Sequence, residues 1–511
     1  MQTCPPRSSQ SRRRAMPLLS QLPISPWLFG NSLQFFEELQ KGEEPIATIR
    51  IGRDTVFYLR EPNLIREALV NFASDLHKSR GWERAQALLG KGLITSEGEL
   101  HRQQRKLIQP VFHHSNLKSL ALIMHERTRE RAESWIAGQK LNLSQEMLAL
   151  TQVIIGEALF GTDVGHRTGR ISQLMETVLE TFFLSLGHPQ LKRAAAARRE
   201  LSDIVQEIIE QRRKSNKVST DLLTLLFAAQ DPKTGVGMSD EQLQDEVMTL
   251  LLAGHETSAN ALSWTIYLLT QHPEIAEQVA AEVSSIKMDS GLTSVGLATC
   301  GAVGLAEAGS EARSTSGQAD RQGSPACCCP VTKPATVHDS SLEGESHSNN
   351  GHTKPTNASG AGECAWGIKE NSLLAQVIRE SLRLFPPAWA IGRRAVRDMQ
   401  IAGVTIPKGA IVVACQWAMH RCDRYYSNPA KFDPQRWTLD FQRTLPKYAF
   451  FPFGGGPRSC IGEGFAWMEL GIVLTEILRR WRFEIVPGQV VKPRPSVTLH
   501  PEEPIQVFVR A

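Results

Sequence analysis

The residues best suited to chemistry lie in FPFGGGPRSCIGEGF, from Phe451 to Phe465, where glycines surround a single cysteine, Cys460. An amphipathic helix follows at once, with Phe465, Leu470, Val473, Leu474 and Ile477 at helical spacing. A cysteine at a helix entrance meets the positive end of the helix dipole, which favours thiolate over thiol, and a thiolate suits a soft or borderline metal. Gly454, Gly455 and Gly456 let the backbone approach a flat ligand closely, and Arg458 can pair with a carboxylate hanging from it. Taken singly, each feature equally fits a glycine-rich turn around a buried structural cysteine.

Three further groups of residues have useful spacing. LLAGHETSANAL, Leu251 to Leu262, lies inside a long proline-free helical pattern and holds Ala253, Gly254, Glu256 and Thr257. A glycine there costs about 1 kcal/mol relative to alanine, so something is expected to approach it closely. In ESLR, Glu380 and Arg383 are three apart and share one helix face, as an ordinary surface ion pair would. In GELHRQQRKLIQP, His101 and Arg105 lie one turn apart.

The elements that must position these groups are mostly helical. Helical spacing runs over 117–136, 141–159, 171–186, 200–213, 240–271 and 372–384. Alternation over 46–59 predicts a β-hairpin turning near 52–54, and short strands are expected at 404–406, 410–414 and 505–509. The stretch 284–367 is rich in Gly, Ala, Ser and Thr and poor in large apolar residues, so it reads as a disordered insertion; adjacent Cys327, Cys328 and Cys329 lack the paired spacing of a zinc site.

Composition excludes several classes. A net charge of +4, from 57 basic and 53 acidic residues, with no basic run interleaved with aromatics, points away from nucleic acid. Nine cysteines in 511 residues, five of them inside the biased stretch, make no disulfide framework, which favours a cytoplasmic or organellar compartment over secretion. No apolar run reaches the length of a membrane span, and Pro17, Pro23 and Pro26 break the most apolar early stretch. Residues 1–36 contain no Asp or Glu but carry Arg7, Arg12, Arg13 and Arg14, as a transit peptide or an unstructured basic tail would.

The cysteine segment resembles the cytochrome P450 family, whose loop Phe-x-x-Gly-x-Arg-x-Cys-x-Gly is matched by Phe453, Gly456, Arg458, Cys460 and Gly462. The resemblance extends from Ile46 to about Val509 and implies a mainly α fold with a small β-rich portion, of the soluble bacterial-like type. It implies heme b (iron protoporphyrin IX) ligated by Cys460, with Arg458 on a propionate and Phe453 covering the thiolate side. A thiolate in that position pushes electron density through the iron toward O–O cleavage. Ala253 and Gly254 would leave room for dioxygen, and Glu256 with Thr257 would organise the protons that its cleavage consumes. His101 and Arg105 would face a propionate, His101 standing where many members carry Trp; Arg393, or alternatively Arg394, would be a third propionate partner. FDPQRW supplies Arg436 to complete a Glu-Arg-Arg triad with Glu380 and Arg383. The turn 388–392 would line an apolar pocket for a lipophilic small molecule.

The activity implied is insertion of one atom of O2, with electrons from NAD(P)H passed through a separate ferredoxin or flavoprotein reductase, docking near Arg458 and Arg436. The alternatives are a haem-thiolate isomerase or dehydratase, and a haem-binding protein without turnover. The organisation expected is a basic segment, 1–36, then one catalytic domain, 37–511, interrupted by 284–367.

Overall fold

The computed structural model describes residues 25–79, 82, 86, 89–161, 165–179, 190–214, 221–286 and 371–511. The basic segment up to residue 24 and nearly all of the biased stretch lie outside these residues; Ser284 and Ser285 end a helix. In chain order the elements are α1 (Ser25–Gln40), β1 (Ile46–Ile51), β2 (Asp54–Leu59), α2 (Pro62–Arg66), β3 (Leu76–Lys78), α3 (Gly98–Ile108), α4 (His114–Glu133), β4 (Lys140–Asn142) and α5 (Leu143–Phe160). There follow α6 (Gly165–Leu179), α7 (Gln190–Lys214), α8 (Leu222–Ala228), α9 (Asp240–Gln271), α10 (Pro273–Ser285), α11 (Leu373–Leu384), β5 (Ile391–Ala395), β6 (Met399–Ile401), β7 (Val404–Ile406) and β8 (Ile411–Ala414). The chain closes with α12 (Gln416–Met419), α13 (Leu439–Thr444), α14 (Glu463–Arg480), β9 (Arg482–Ile485), β10 (Pro493–Pro495), β11 (Leu499–Pro501) and β12 (Gln506–Arg510).

The helical core forms around α9 and α14, which are apolar on more than one face and therefore buried along most of their length. Ser239 caps α9 by accepting the Gln242 N–H at 3.2 Å, and Pro273 two residues past its end starts the next helix. The helix 240–271 therefore has the bounds its periodicity predicts. At 141–159 the prediction is off by a strand: β4 pairs with β12 before Asn142 caps α5. A partner over 360 residues away in sequence decides those three residues, and periodicity cannot register it.

The β portion is a five-stranded sheet, ordered β1-β2-β8-β5-β3, with two-stranded and three-stranded companions. The predicted hairpin is present, with Ile51 opposite Asp54 at its turn. β3 pairs antiparallel with β5 so that Lys78 faces Arg393, and this register positions the site.

Candidate active site

The loop 451–462 hands the cysteine to α14. The Cys460 N–H donates to the Phe453 carbonyl at 2.9 Å, and the Phe453 ring lies 5.9 Å from Trp467 on α14. Gly462 caps that helix and its N–H points to the Cys460 sulfur. Gly454 and Gly456 take φ of 73° and 69°. A Cβ on Gly456 would collide with the Leu69 carbonyl, and one on Gly455 with the Tyr448 ring. These two glycines thus serve the loop's fit against its own protein neighbours.

Cys415 and Cys422 are buried, whereas Cys460 keeps an exposed face. Protein atoms crowd the thiol on its other sides, so it faces a recess, and this burial pushes its pKa up to about 11 against the pull of the Gly462 N–H and Arg105. Desolvation outweighs the helix-entrance effect predicted from sequence. A bound metal reverses that balance, because a coordinating thiol is deprotonated outright.

Beside the thiol stands a cluster of cations. Arg105 donates to the Ser459 carbonyl at 2.7 Å and to its hydroxyl at 3.2 Å, so it grips the cysteine loop itself. His101 is 5% exposed, and burial, followed by Arg458, Lys78, Arg105 and Arg393, drives its pKa down to about 3. Burial and then Arg458 lower Arg393 to about 10 and Lys78 to about 7. Lys78 donates to the carbonyls of Leu93 and Ser96 at 3.0 and 2.8 Å. Arg458 pairs with Glu97, which also accepts the Lys78 backbone N–H at 2.6 Å. The second nearby acid, Glu246, is pushed up to about 8 by burial, and its carboxyl accepts the Leu93 N–H at 2.8 Å. Three guanidinium groups, those of Arg458, Arg393 and Arg105, stand near the one carboxylate of Glu97 that pairs with Arg458, which fits a ligand bearing two carboxylates. Of the adjacent arginines, Arg393 is the one in this cluster. Lys78 and Glu97 carry no motif of their own; the β3–β5 register reveals the first, and its bonds to Lys78 and Arg458 the second.

On α9, Ala253 is exposed and Thr257 partly so, while Leu251, Leu252, Ser258 and Ala259 around them are buried. The Thr257 hydroxyl donates to the Ala253 carbonyl at 2.7 Å, and Glu256 accepts from the Thr498 hydroxyl at 2.5 Å. Gly254 does something else: a Cβ there would lie 2.8 Å from Cγ1 of Ile155, so its small size admits α5. Gly254 nonetheless remains part exposed on the face it shares with Ala253 and Thr257.

The Glu-Arg-Arg arrangement is assembled. Glu380 accepts from Arg383 twice at 2.8 Å, from Arg436 at 3.0 Å and from the Trp437 indole at 2.9 Å. Arg383 further donates to the carbonyls of His420, Pro429 and Lys431. Arg436 is 5% and Arg458 10% exposed in their side chains. Both are committed inside the protein, so the basic docking patch expected from them does not form.

A soft sulfur donor in a recess, guanidinium groups that outnumber their carboxylate partner, and a small-residue helix face together fit a haem. The family model described as cytochrome P450 matches residues 16–293 and 367–509. The chain belongs to the cytochrome P450 family. Among P450 relatives, it is 29% identical to cyclooctatin synthase of Streptomyces melanosporofaciens, over 91% of this chain and 89% of that one. It is 28% identical to cyclooctat-9-en-7-ol 5-monooxygenase of the same organism, over 90% and 87%. The retinoic acid-bound cyanobacterial CYP120A1 shares the fold with a TM-score of 0.73 at 24% identity, over 94% of this chain and 95% of that one. This P450 is a haem-dependent monooxygenase that takes O2, an organic substrate and electrons delivered from NAD(P)H through a redox partner. Among the described residues, no helix is long and apolar enough to cross a membrane.

Proposed function

We propose that Cys460 is the iron ligand of this monooxygenase, and that Arg458, Arg393, His101 and Arg105, joined by Lys78, hold the haem propionates. The observation that carries this reading is the cation cluster of Arg458, Arg393, Arg105 and Lys78, whose guanidinium groups outnumber their carboxylate partner Glu97, beside the exposed thiol. Phe453 and Gly462 shape the sulfur side, the first by its carbonyl and ring, the second by its N–H. The haem supplies one-electron redox chemistry and activation of dioxygen. Ala253 and Thr257 form the open face of α9, and Glu256 and Thr257 hold the protons that O–O cleavage consumes.

The substrate is a lipophilic small molecule, supported by the apolar character of 388–392 and by a relative named for cyclooctat-9-en-7-ol. The electron donor is a separate ferredoxin or flavoprotein. One catalytic domain is interrupted by the 284–367 insertion, a reading supported by the matched segments 16–293 and 367–509; the start expected at 37 moves back into α1, whose Leu33 and Phe36 are buried in the core. The compartment is cytoplasmic or organellar.

The test is to titrate the holoprotein with cyclooctat-9-en-7-ol and a panel of lipophilic compounds, following the Soret band. Compounds that shift it are then incubated with NADPH, a surrogate ferredoxin and its reductase, under labelled dioxygen. Product carrying one labelled oxygen supports the reading. Product of unchanged mass, formed without reductant, would contradict it and favour an isomerase.

A further inference from the structure

Glu256 is not left to find its own position. Its Oε1 accepts a hydrogen bond from Thr498 Oγ1 at 2.5 Å, and the same hydroxyl oxygen accepts the Asn260 side-chain amide at 3.1 Å. Glu256 and Asn260 are one turn apart on α9, so both can reach a single partner. A hydroxyl has one proton to give, and with Asn260 donating to its oxygen that proton is directed at Glu256. Thr498 is 6% exposed and Asn260 9%, so water competes little for these bonds.

Thr498 is itself firmly held. It ends the turn between β10 and β11, closed by the Ser496 N–H and hydroxyl donating to the Thr498 carbonyl at 3.0 and 3.1 Å. The Trp389 indole donates to the Ser496 carbonyl at 2.9 Å, and the Leu499 N–H to the Pro387 carbonyl at 2.9 Å. Trp264 of α9 donates to the Leu499 carbonyl at 3.1 Å. The turn is thus fixed on one side to α9 and on the other to the segment leading into 388–392.

We propose that Thr498 is a positioning residue for the Glu256 carboxyl, and that with Asn260 it ties this acid to the segment that meets the substrate. The inference rests on the reading of Glu256 as a proton-organising group. Without the Thr498 hydroxyl the carboxyl is free to swing, the second proton is delivered to the wrong oxygen, and reduced dioxygen leaves as hydrogen peroxide with its O–O bond intact. Both routes consume the same first two electrons and two protons; they differ in whether the second proton goes to the oxygen that departs as water or to the other oxygen, which releases hydrogen peroxide.

The test compares wild type, Thr498→Val, Thr498→Ser, Glu256→Gln and the Thr498→Val/Glu256→Gln double variant as holoproteins. Each is run with NADPH, a surrogate ferredoxin system and cyclooctat-9-en-7-ol as probe. The readout is the fraction of consumed O2 recovered as H2O2, in H2O and in D2O, which is measurable whether or not the probe is hydroxylated. Expected are a several-fold higher peroxide fraction and a changed solvent isotope effect in Thr498→Val, recovery in Thr498→Ser, and a double variant no worse than Glu256→Gln alone. A Thr498→Val enzyme that matches wild type while Glu256→Gln releases peroxide overturns the inference. If Glu256→Gln also matches wild type, the reading of Glu256 itself fails. Should Thr498→Val not load haem, Asn260→Ala is read in its place: it keeps the hydroxyl but lets it turn, so a raised peroxide fraction supports the proposal and an unchanged one overturns it.

Discussion

At the scale of single residues, the site is a problem in charge balance. Arg458 meets Glu97 and the Ser96 carbonyl, and after burial its charge lowers the proton affinity of Arg393, Lys78 and His101. Replacing Arg458 with Leu relieves the crowding but removes the best-placed partner for a carboxylate, and it leaves Glu97 without its guanidinium. A charge-assisted hydrogen bond of this kind is worth about 1.5–3 kcal/mol. The Arg458→Leu protein should therefore lose haem to an apomyoglobin trap about 10- to 100-fold faster, with its far-ultraviolet circular dichroism unchanged. Loss at the wild-type rate would remove Arg458 from the propionate site.

At the scale of elements, two buried acids mark where helices are joined. Glu380 on α11 is fully buried and binds Arg383, Arg436, Trp437 and the Asp433 N–H. Glu380→Leu leaves two guanidinium groups buried around no carboxylate, at a cost of about 3–5 kcal/mol. Expected is little holoprotein on expression and a thermal midpoint well below wild type by calorimetry; a wild-type midpoint would show that the carbonyl partners of Arg383 suffice. Glu469 on α14 is the converse case. It is fully buried with Ser258 as its polar neighbour, and burial pushes its pKa up to about 8 against the pull of the Ser258 hydroxyl. Its folded pKa lies above the unfolded value, so its contribution to stability is fully present below about pH 4.5 and is lost as pH rises to about 8, at up to about 1.4 kcal/mol per pH unit. Denaturant titrations should show Glu469→Gln gaining on wild type between pH 5 and 8 and holding a constant lead above that; a pH-independent difference would mean that Glu469 is ionised in the fold.

Much of this was legible in the sequence where the signal is local. The bounds of α9, the β1–β2 hairpin and the reach of Glu380 to Arg383 follow from periodicity and spacing, and Arg436 is implied by the family resemblance. What periodicity could not show is what distant segments bring. The Lys78–Arg393 register, the Thr498–Glu256 bond and the Ile155 contact at Gly254 join residues that no window of sequence contains together. The same holds for direction: Arg436 and Arg458 are basic wherever they sit, but only packing turns them inward.

At the scale of the whole molecule, the helices on either side of the biased stretch, α10 and α11, both pack against α14. If 284–367 is an interruption of one domain, joining residue 283 to residue 368 through a short Gly/Ser linker should yield holoprotein with the same haem content and the same rate of NADPH-driven oxidation. A deletion protein that folds but takes up no haem would instead give that stretch a part in assembling the site.

The most direct measurement concerns the bond on which every other assignment depends, between sulfur and iron at Cys460. Holoprotein reduced with dithionite and exposed to carbon monoxide should give the red-displaced Soret band of a thiolate-ligated haem, and Cys460→Ser should abolish it. A band that survives in Cys460→Ser, or that never forms in the wild type, would contradict ligation by Cys460.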